Sequence, residues 1–398
     1  MRLSTQNSNV AALDTLVDRQ AKLADAQAQL TSGKRVNRAS DDPAAAARSE
    51  RALAAERRTI ASQRAVDASS NAMTLTEAAL GDAGKLLQSA REALVAAGNA
   101  TYTDAERTGV ANQLTDLRQQ LFAVANRTDG SGSYLFGGQG SSRAPFADMP
   151  GGVQFQGTAG QIQAASGDAL PLTMDGKGTW MQSRTGNGVF ETQVVASTGT
   201  AVIDAGAVTD PSALTGSTYS LQFSVVGGAT TYSVLKDGNP TAQVNLPFKP
   251  GQAIQVDGMT TTITGQPANG DQFNLAPSTP SLSVFDALDQ AIAALKTPGR
   301  SNTQIAQGNA IALTNLDSVL GQVSAGRALM GATMNRVDSV TERLTALKLS
   351  SVTERSKAED LDMVQGLSDV SNQQTGYDAA LKAYSMVQRL SLFNYLNV

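Results

Sequence analysis

The first 32 residues contain neither Gly nor Pro, the last 100 contain no Pro, and both stretches space their apolar residues by three and four. That spacing predicts long helices, each with one apolar stripe. Val10, Leu13, Val17, Leu23, Ala24 and Leu30 make the N-terminal stripe; Met363, Leu367, Val370, Tyr377, Leu381 and Tyr384 make the C-terminal one. At ~1.5 Å per residue, a helix of about 30 residues is a rod of roughly 45 Å, too thin to bury its own stripe. Such rods gain stability by packing against other helices, so both stripes are expected to be assembly surfaces.

Punctuation divides the rest of the chain. Residues 146–282 hold 19 of the 36 glycines and 9 of the 12 prolines, which marks an inserted domain. Tyr219, Leu221, Phe223 and Val225 alternate, Gly227-Gly228 makes a turn, and Tyr232 and Val234 resume the alternation, which predicts a hairpin. A second hairpin is expected from 253–256 and 259–264 around Asp257-Gly258, a pair suited to positive φ at both turn positions. Further strand-like runs at 152–156, 189–196 and 272–275 predict an antiparallel sandwich or barrel.

Helical patterns flank the insert. After Gly33, the run SGKRVNRASDDPAAAAR offers Ser40, Asp41 or Asp42 as a cap and Pro43 for the first turn of a new helix. Val66, Met73, Leu80, Leu87 and Leu94 recur every seven residues in that helix, and Val110, Leu114, Leu117, Leu121 and Val124 stripe the next. Beyond the insert, Val284, Leu288, Ile292 and Leu295 predict a short helix. A very long one follows along Leu313, Leu316, Leu320, Val323, Met330, Met334, Val337, Leu344 and Leu347, with Arg327 and Thr341 in two slots where apolar residues are due. Gly308, Gly321, Gly326 and Gly331 in that helix read equally as close helix contacts or as tolerated weak points costing up to ~1 kcal/mol each. The expected fold is α+β: a long helical bundle or coiled coil built from both chain ends, with an inserted antiparallel β domain.

Composition narrows the function. With no Cys and no His, the chain has no disulfide, no thiolate or imidazole metal site and no His-based catalytic triad, and no carboxylate pair stands out for acid–base work. We expect no enzyme, no cofactor and no metal. The net charge of −4, with the insert at −5, lacks the basic face that nucleic acid requires. No run of about 18 apolar residues suits a membrane span, and MRLSTQNSNV lacks the apolar core of a cleaved signal. The arginines at 48, 51, 57, 58 and 64 alternate with Glu50 and Glu56, which favours an ion-pair face over phosphate binding. DGSGSYLFGGQG at 129–140 fits no phosphate loop and reads as a hairpin; Trp180 reads as a core anchor.

SGKRVN at 32–37, SDDPAAAA at 40–47, the MRLST start and LSLFNYL near the end resemble the bacterial flagellin family, and within it the hook-filament junction branch more than flagellin itself. The resemblance covers residues 1–145 and 283–398. It implies an inner domain of 1–32 with 352–398, a spoke at 33–42, a helical shell of 43–145 with 283–351, and an outer β domain of 146–282. Gly33, Arg35, Asn37, Asp41, Asp42 and Pro43 match the spoke. The implied role is a structural subunit of the flagellum, exported by the type III apparatus without a cleaved signal and lying outside the cell. The implied partners are a ring of identical subunits, a hook-associated protein on the hook side, flagellin on the filament side and a chaperone on the C-terminal helix. Two alternatives stay open: a flagellin, and a secreted adhesin whose insert binds glycan through exposed aromatics.

Overall fold

The computed structural model describes residues 5–140, 143–164 and 167–396, with the side chains of 5–9 and 387–396 excepted. The opening MRLS and the last two residues lie outside this range. The chain forms two compact units, one of residues 1–64 with 340–398 and one of 65–339.

The terminal unit contains α1 (Thr5–Ser32), the start of α2 (Pro43–Ala97), the end of a long helix later in the chain, and the last helix, Met363–Leu396. Gly33 ends α1 with φ +69°, the left-handed conformation that stops a helix at little cost. Asp42 is the cap of α2: its Oδ1 accepts from Ala45 N at 2.9 Å, with Pro43 in the first turn.

In the other unit, α2 continues and is joined by α3 (Asp104–Ala125). Thr103 and Glu106 cap α3 reciprocally. There follow β1 (Phe146–Met149), β2 (Gly152–Phe155), α4 (Gly176–Trp180), β3 (Phe190–Ala196), β4 (Val202–Ile203), β5 (Ala207–Val208), β6 (Tyr219–Val226), β7 (Ala229–Lys236), β8 (Asn239–Pro240), β9 (Leu246–Pro247), β10 (Ala253–Val256), β11 (Met259–Thr264) and β12 (Gln272–Pro277). The chain then returns through α5 (Val284–Lys296) and α6 (Asn302–Glu359) to α7 (Met363–Leu396).

Val66, Met73, Leu80, Leu87 and Leu94 are all buried, as are Leu114, Leu117, Leu121 and Val124. On α6 the buried series is Leu316, Val319, Val323, Gly326, Met330, Thr333, Val337, Val340 and Leu344, a heptad spacing without interruption. The slots read as Arg327 and Thr341 therefore belong to Gly326 and Val340, one residue earlier. Arg327 points outward and donates from Nε to Glu77 Oε1 at 3.1 Å. Leu347, read as part of this seam, is exposed. Of the four glycines, Gly326 faces Met174, Thr179 and Leu80, and Gly308 lies under the Arg300 guanidinium. Nothing crowds Gly321 or Gly331.

Both predicted hairpins are present, β6–β7 and β10–β11, with Asp257 at φ +37° and Gly258 at +78° in the second turn. One sheet runs β3-β12-β6-β7-β8, with β9 also on β7; another runs β10-β11-β4, with β5 also on β11. The two share one core, including Phe190, Ile203, Tyr219, Phe223, Met259, Ile263 and Phe273, which is the expected antiparallel sandwich. The inserted segment is not uniform. Phe146, Val153, Met174 and Trp180 join the helical core, so the β module proper lies between residues 189 and 279. Trp180 is fully buried and stacks on Phe285 with centroids 6.0 Å apart, a core anchor.

Candidate assembly interface

α1 and α7 run side by side in opposite directions: Leu30 lies beside Met363, Val364 and Leu367, and Arg19 lies against Gly376. Apart from Gln29 and Gly376, the residues of α1 that lose exposure are Ala12, Leu16, Arg19, Leu23, Ala26 and Leu30, and those of α7 are Gly366, Val370, Gln373, Tyr377, Ala380 and Tyr384. Both sets step by four and three, the seam of a two-helix coil. A Cβ at residue 376 would sit 2.5 Å from Arg19 Nη1, so any larger residue there would make the guanidinium shift.

The N-terminal stripe expected from the sequence does not lie on one face. At 100° per residue, Leu23 and Leu30 fall about 110° to 130° round the helix from the mean direction of Val10, Leu13, Val17 and Ala24. Leu23 and Leu30 sit in the seam with α7, whereas Val10, Leu13 and Val17 are 50–56% exposed. The C-terminal stripe does keep to one face, an arc of about 100°, within which Val370, Tyr377 and Tyr384 are half-buried in the seam and Met363, Leu367 and Leu381 are exposed. Sequence reasoning missed Leu16, the central seam residue of α1, and Val364, 83% exposed beside the stripe. The helix pair thus covers part of its apolar surface and leaves Val10, Leu13, Val17, Met363, Val364 and Leu367 exposed.

The spoke is held by backbone and charge together. Lys34 bridges Asp360 in a short antiparallel contact; Arg35 N donates to Glu359 O at 2.7 Å and Leu361 N to Gly33 O at 3.0 Å. The Arg35 guanidinium reaches Asp42 Oδ2 at 3.1 Å and Ala358 O at 2.9 Å. Asp41 Oδ2 accepts from the backbone N–H of Asn37 and of Arg38, closing the turn between them. Every spoke residue read from the sequence has a place in this region. The hub it converges on, Glu359, has no local sequence signal.

Glu359 accepts from Ser49 Oγ at 2.5 Å and faces Lys34 Nζ at 3.2 Å and Arg355 Nε at 3.6 Å. The Ser49 hydroxyl first, then the Lys34 and Arg355 cations, hold its carboxyl below the usual range. Asp42 is lowered too, first by the Ala45 N–H and then by Arg35. Arg355 also pairs with Glu56 at 2.7 Å, which accounts for one acidic member of the mixed-charge run on α2.

Among the described residues no group of His, Cys, Asp and Glu could hold a metal ion, and no helix is long and apolar enough to cross a membrane. The exposed large apolar side chains described within 146–282 are Met149, Val189, Val194, Val195, Val226 and Val244, none aromatic.

The family model for the bacterial flagellin N-terminal helical region matches residues 3–141, and that for the C-terminal helical region matches 313–396. The flagellar hook-associated protein 3 of Escherichia coli (strain K12) is 26% identical over 397 residues, 99% of each chain. The flagellin of Bacillus subtilis (strain 168) is 33% identical over 137 residues, 33% of this chain and 45% of that one. Among solved structures, the flagellar junction protein FlgL from Legionella pneumophila superposes with a TM-score of 0.65 at 27% identity, covering 70% of this chain and 95% of that chain.

Proposed function

The chain belongs to the bacterial flagellin family and is homologous to hook-associated protein 3, the structural protein of the hook-filament junction, and on that basis we propose that it forms the junction through intersubunit packing of its terminal helices. The carrying observation is coverage. The match to hook-associated protein 3 extends through the β module to 99% of both chains, whereas the Bacillus flagellin matches a third of this chain.

In this reading Val10, Leu13 and Val17 on α1, with Met363, Leu367 and Leu381 on α7, are covered by neighbouring copies in a ring. Each Leu or Val fully covered contributes ~1.5 to 3 kcal/mol. The seam residues Leu23, Leu30, Val370, Tyr377 and Tyr384 hold the two rods together so that the outward stripe is continuous. The spoke, from Gly33 to Pro43, links the rods to the helical shell. A hook-associated protein covers the ring on the hook side and flagellin on the filament side. Before assembly, a chaperone shields the outward face of α7, and the subunit leaves the cell through the flagellar export apparatus without a cleaved signal. No step calls for catalysis, in keeping with structural homologues.

Gold-labelled antibody on intact cells tests this. One narrow band where hook meets filament is expected. Label along the whole filament would make the chain a flagellin, and label elsewhere would overturn the role.

A further inference from the structure

The β module and the helices of the same unit have separate hydrophobic cores with no residue in common. Among the described residues at least two connections join them. The first is a neck in which the entering segment, 183–189, pairs with the leaving segment, 278–283. Ser183 N donates to Leu282 O at 2.9 Å, Leu282 N to Ser183 O at 3.0 Å, and Thr185 N to Thr279 O at 3.0 Å. Gly186 and Gly188 in this neck hold φ of +60° and +89°.

The second is at Gln307 of α6, with Ile311 one turn further on lining the same spaces. Gln307 on α6 is 8% exposed; its Oε1 accepts from Ile203 N at 2.8 Å and its Nε2 donates to Ile203 O at 3.1 Å. Ile203 pairs with Ile263 of β11 on one edge of β4. The Gln307 amide stands where the next strand would be on the other edge, satisfying both backbone groups of that residue. Space flanks this contact on both sides. A cavity of about 290 Å³ is lined by Thr192, Gln193 and Ala310, and one of about 220 Å³ by Ala201 and Thr303; Gln307, Ile311 and Val194 border both. An interface fixed by packing would be filled to the density of a protein interior. This one is pinned by two neutral hydrogen bonds, which favour the closed form on the order of tenfold to a hundredfold.

We infer that Gln307 is a latch: it holds the β module against α6, and on its release the module swings about the 183–189/278–283 neck to a second orientation with both cores intact. The proposal concerns the module alone and stands apart from the role of the terminal helices.

The chain has no Cys, so Val226→Cys and Leu329→Cys, both at exposed positions, give a unique pair of spin labels spanning module and helix. Pulsed electron spin resonance on the full chain is expected to give one dominant narrow distance, and Gln307→Met is expected to raise the minor, displaced population at least tenfold. An unchanged distribution in a folded Gln307→Met protein overturns the latch. Amide exchange of the chain without substitution at Gln307 tests the same point independently. The Ile203 amide should exchange at least tenfold faster than Phe223, whose N–H is bonded to Asp271 O inside the module, and than Val319 in the helical core. Equal rates at the three positions would mean that the contact opens only by unfolding, which refutes the proposal.

Discussion

Ser49 and Glu359 are 310 residues apart in the chain, yet the serine hydroxyl donates to the glutamate at 2.5 Å. The bond joins the start of α2 to the end of α6, next to the backbone pairing of Arg35 with Glu359. It makes the spoke a closed structure whose parts come from both ends of the chain.

Glu359→Ala removes an acceptor shared by Ser49, Lys34 and Arg355 and should destabilise the terminal unit by about 2 kcal/mol. Denaturant melts, combined with amide exchange at Arg35 and Leu361, measure it. The loss should appear at those amides while Val319 in the other unit keeps its protection.

Acid should loosen the same place. Glu359 and Asp42 titrate below their ordinary values in the fold. Their contribution is present above the unfolded values of about 4.3 and 3.9 and is lost as pH falls through the lower folded values. Below about pH 4 the protection factors of Arg35 and Leu361, corrected for intrinsic exchange, should drop; pH-independent protection would contradict the assignment.

Leu13→Asp and Leu16→Asp, three residues apart, should separate the two faces of α1. Leu16 lies in the seam with α7 and Leu13 points to solvent. Leu16→Asp should expose both rods of the monomer to trypsin. Leu13→Asp should leave the monomer's digestion pattern unchanged and still block incorporation into flagella, scored by electron microscopy.

Asp271 is buried and accepts from the backbone N–H of Thr198, Gly199 and Ala268 and from the Thr198 hydroxyl. Asp271→Asn turns an acceptor toward a donor in this nest and should cost the β module about 2 to 3 kcal/mol. Thermal unfolding followed by near-ultraviolet circular dichroism of its tyrosines would register the loss.

Arg118 joins three elements: it meets Asp148 at 2.7 Å, Asp289 at 2.6 Å and the Phe285 ring at 5.9 Å. Arg118→Met keeps the stem and leaves two carboxylates unpaired near each other. A loss of about 2 kcal/mol is expected, less than a fully buried pair because both aspartates are partly exposed. Double substitution with Asp289→Asn should recover part of it.

What the sequence determined by itself was everything set by short-range periodicity and local turn chemistry. Val66 to Leu94 recur every seven residues and are buried; Asp257-Gly258 turns a hairpin; Asp42 caps the helix that Pro43 opens. Residues this close in the chain carry their own geometric constraint. Only the tertiary structure decided which apolar residues of α1 face inward, because Leu13 and Leu16 are equally apolar and the choice depends on where α7 lies, more than 300 positions away. The same holds for Glu359 and Gln307. A polar side chain acquires its role from the groups it meets, Ser49 and Lys34 for Glu359 and the Ile203 backbone for Gln307, and that meeting is made by the packing of distant helices and sheets rather than by any pattern along the chain.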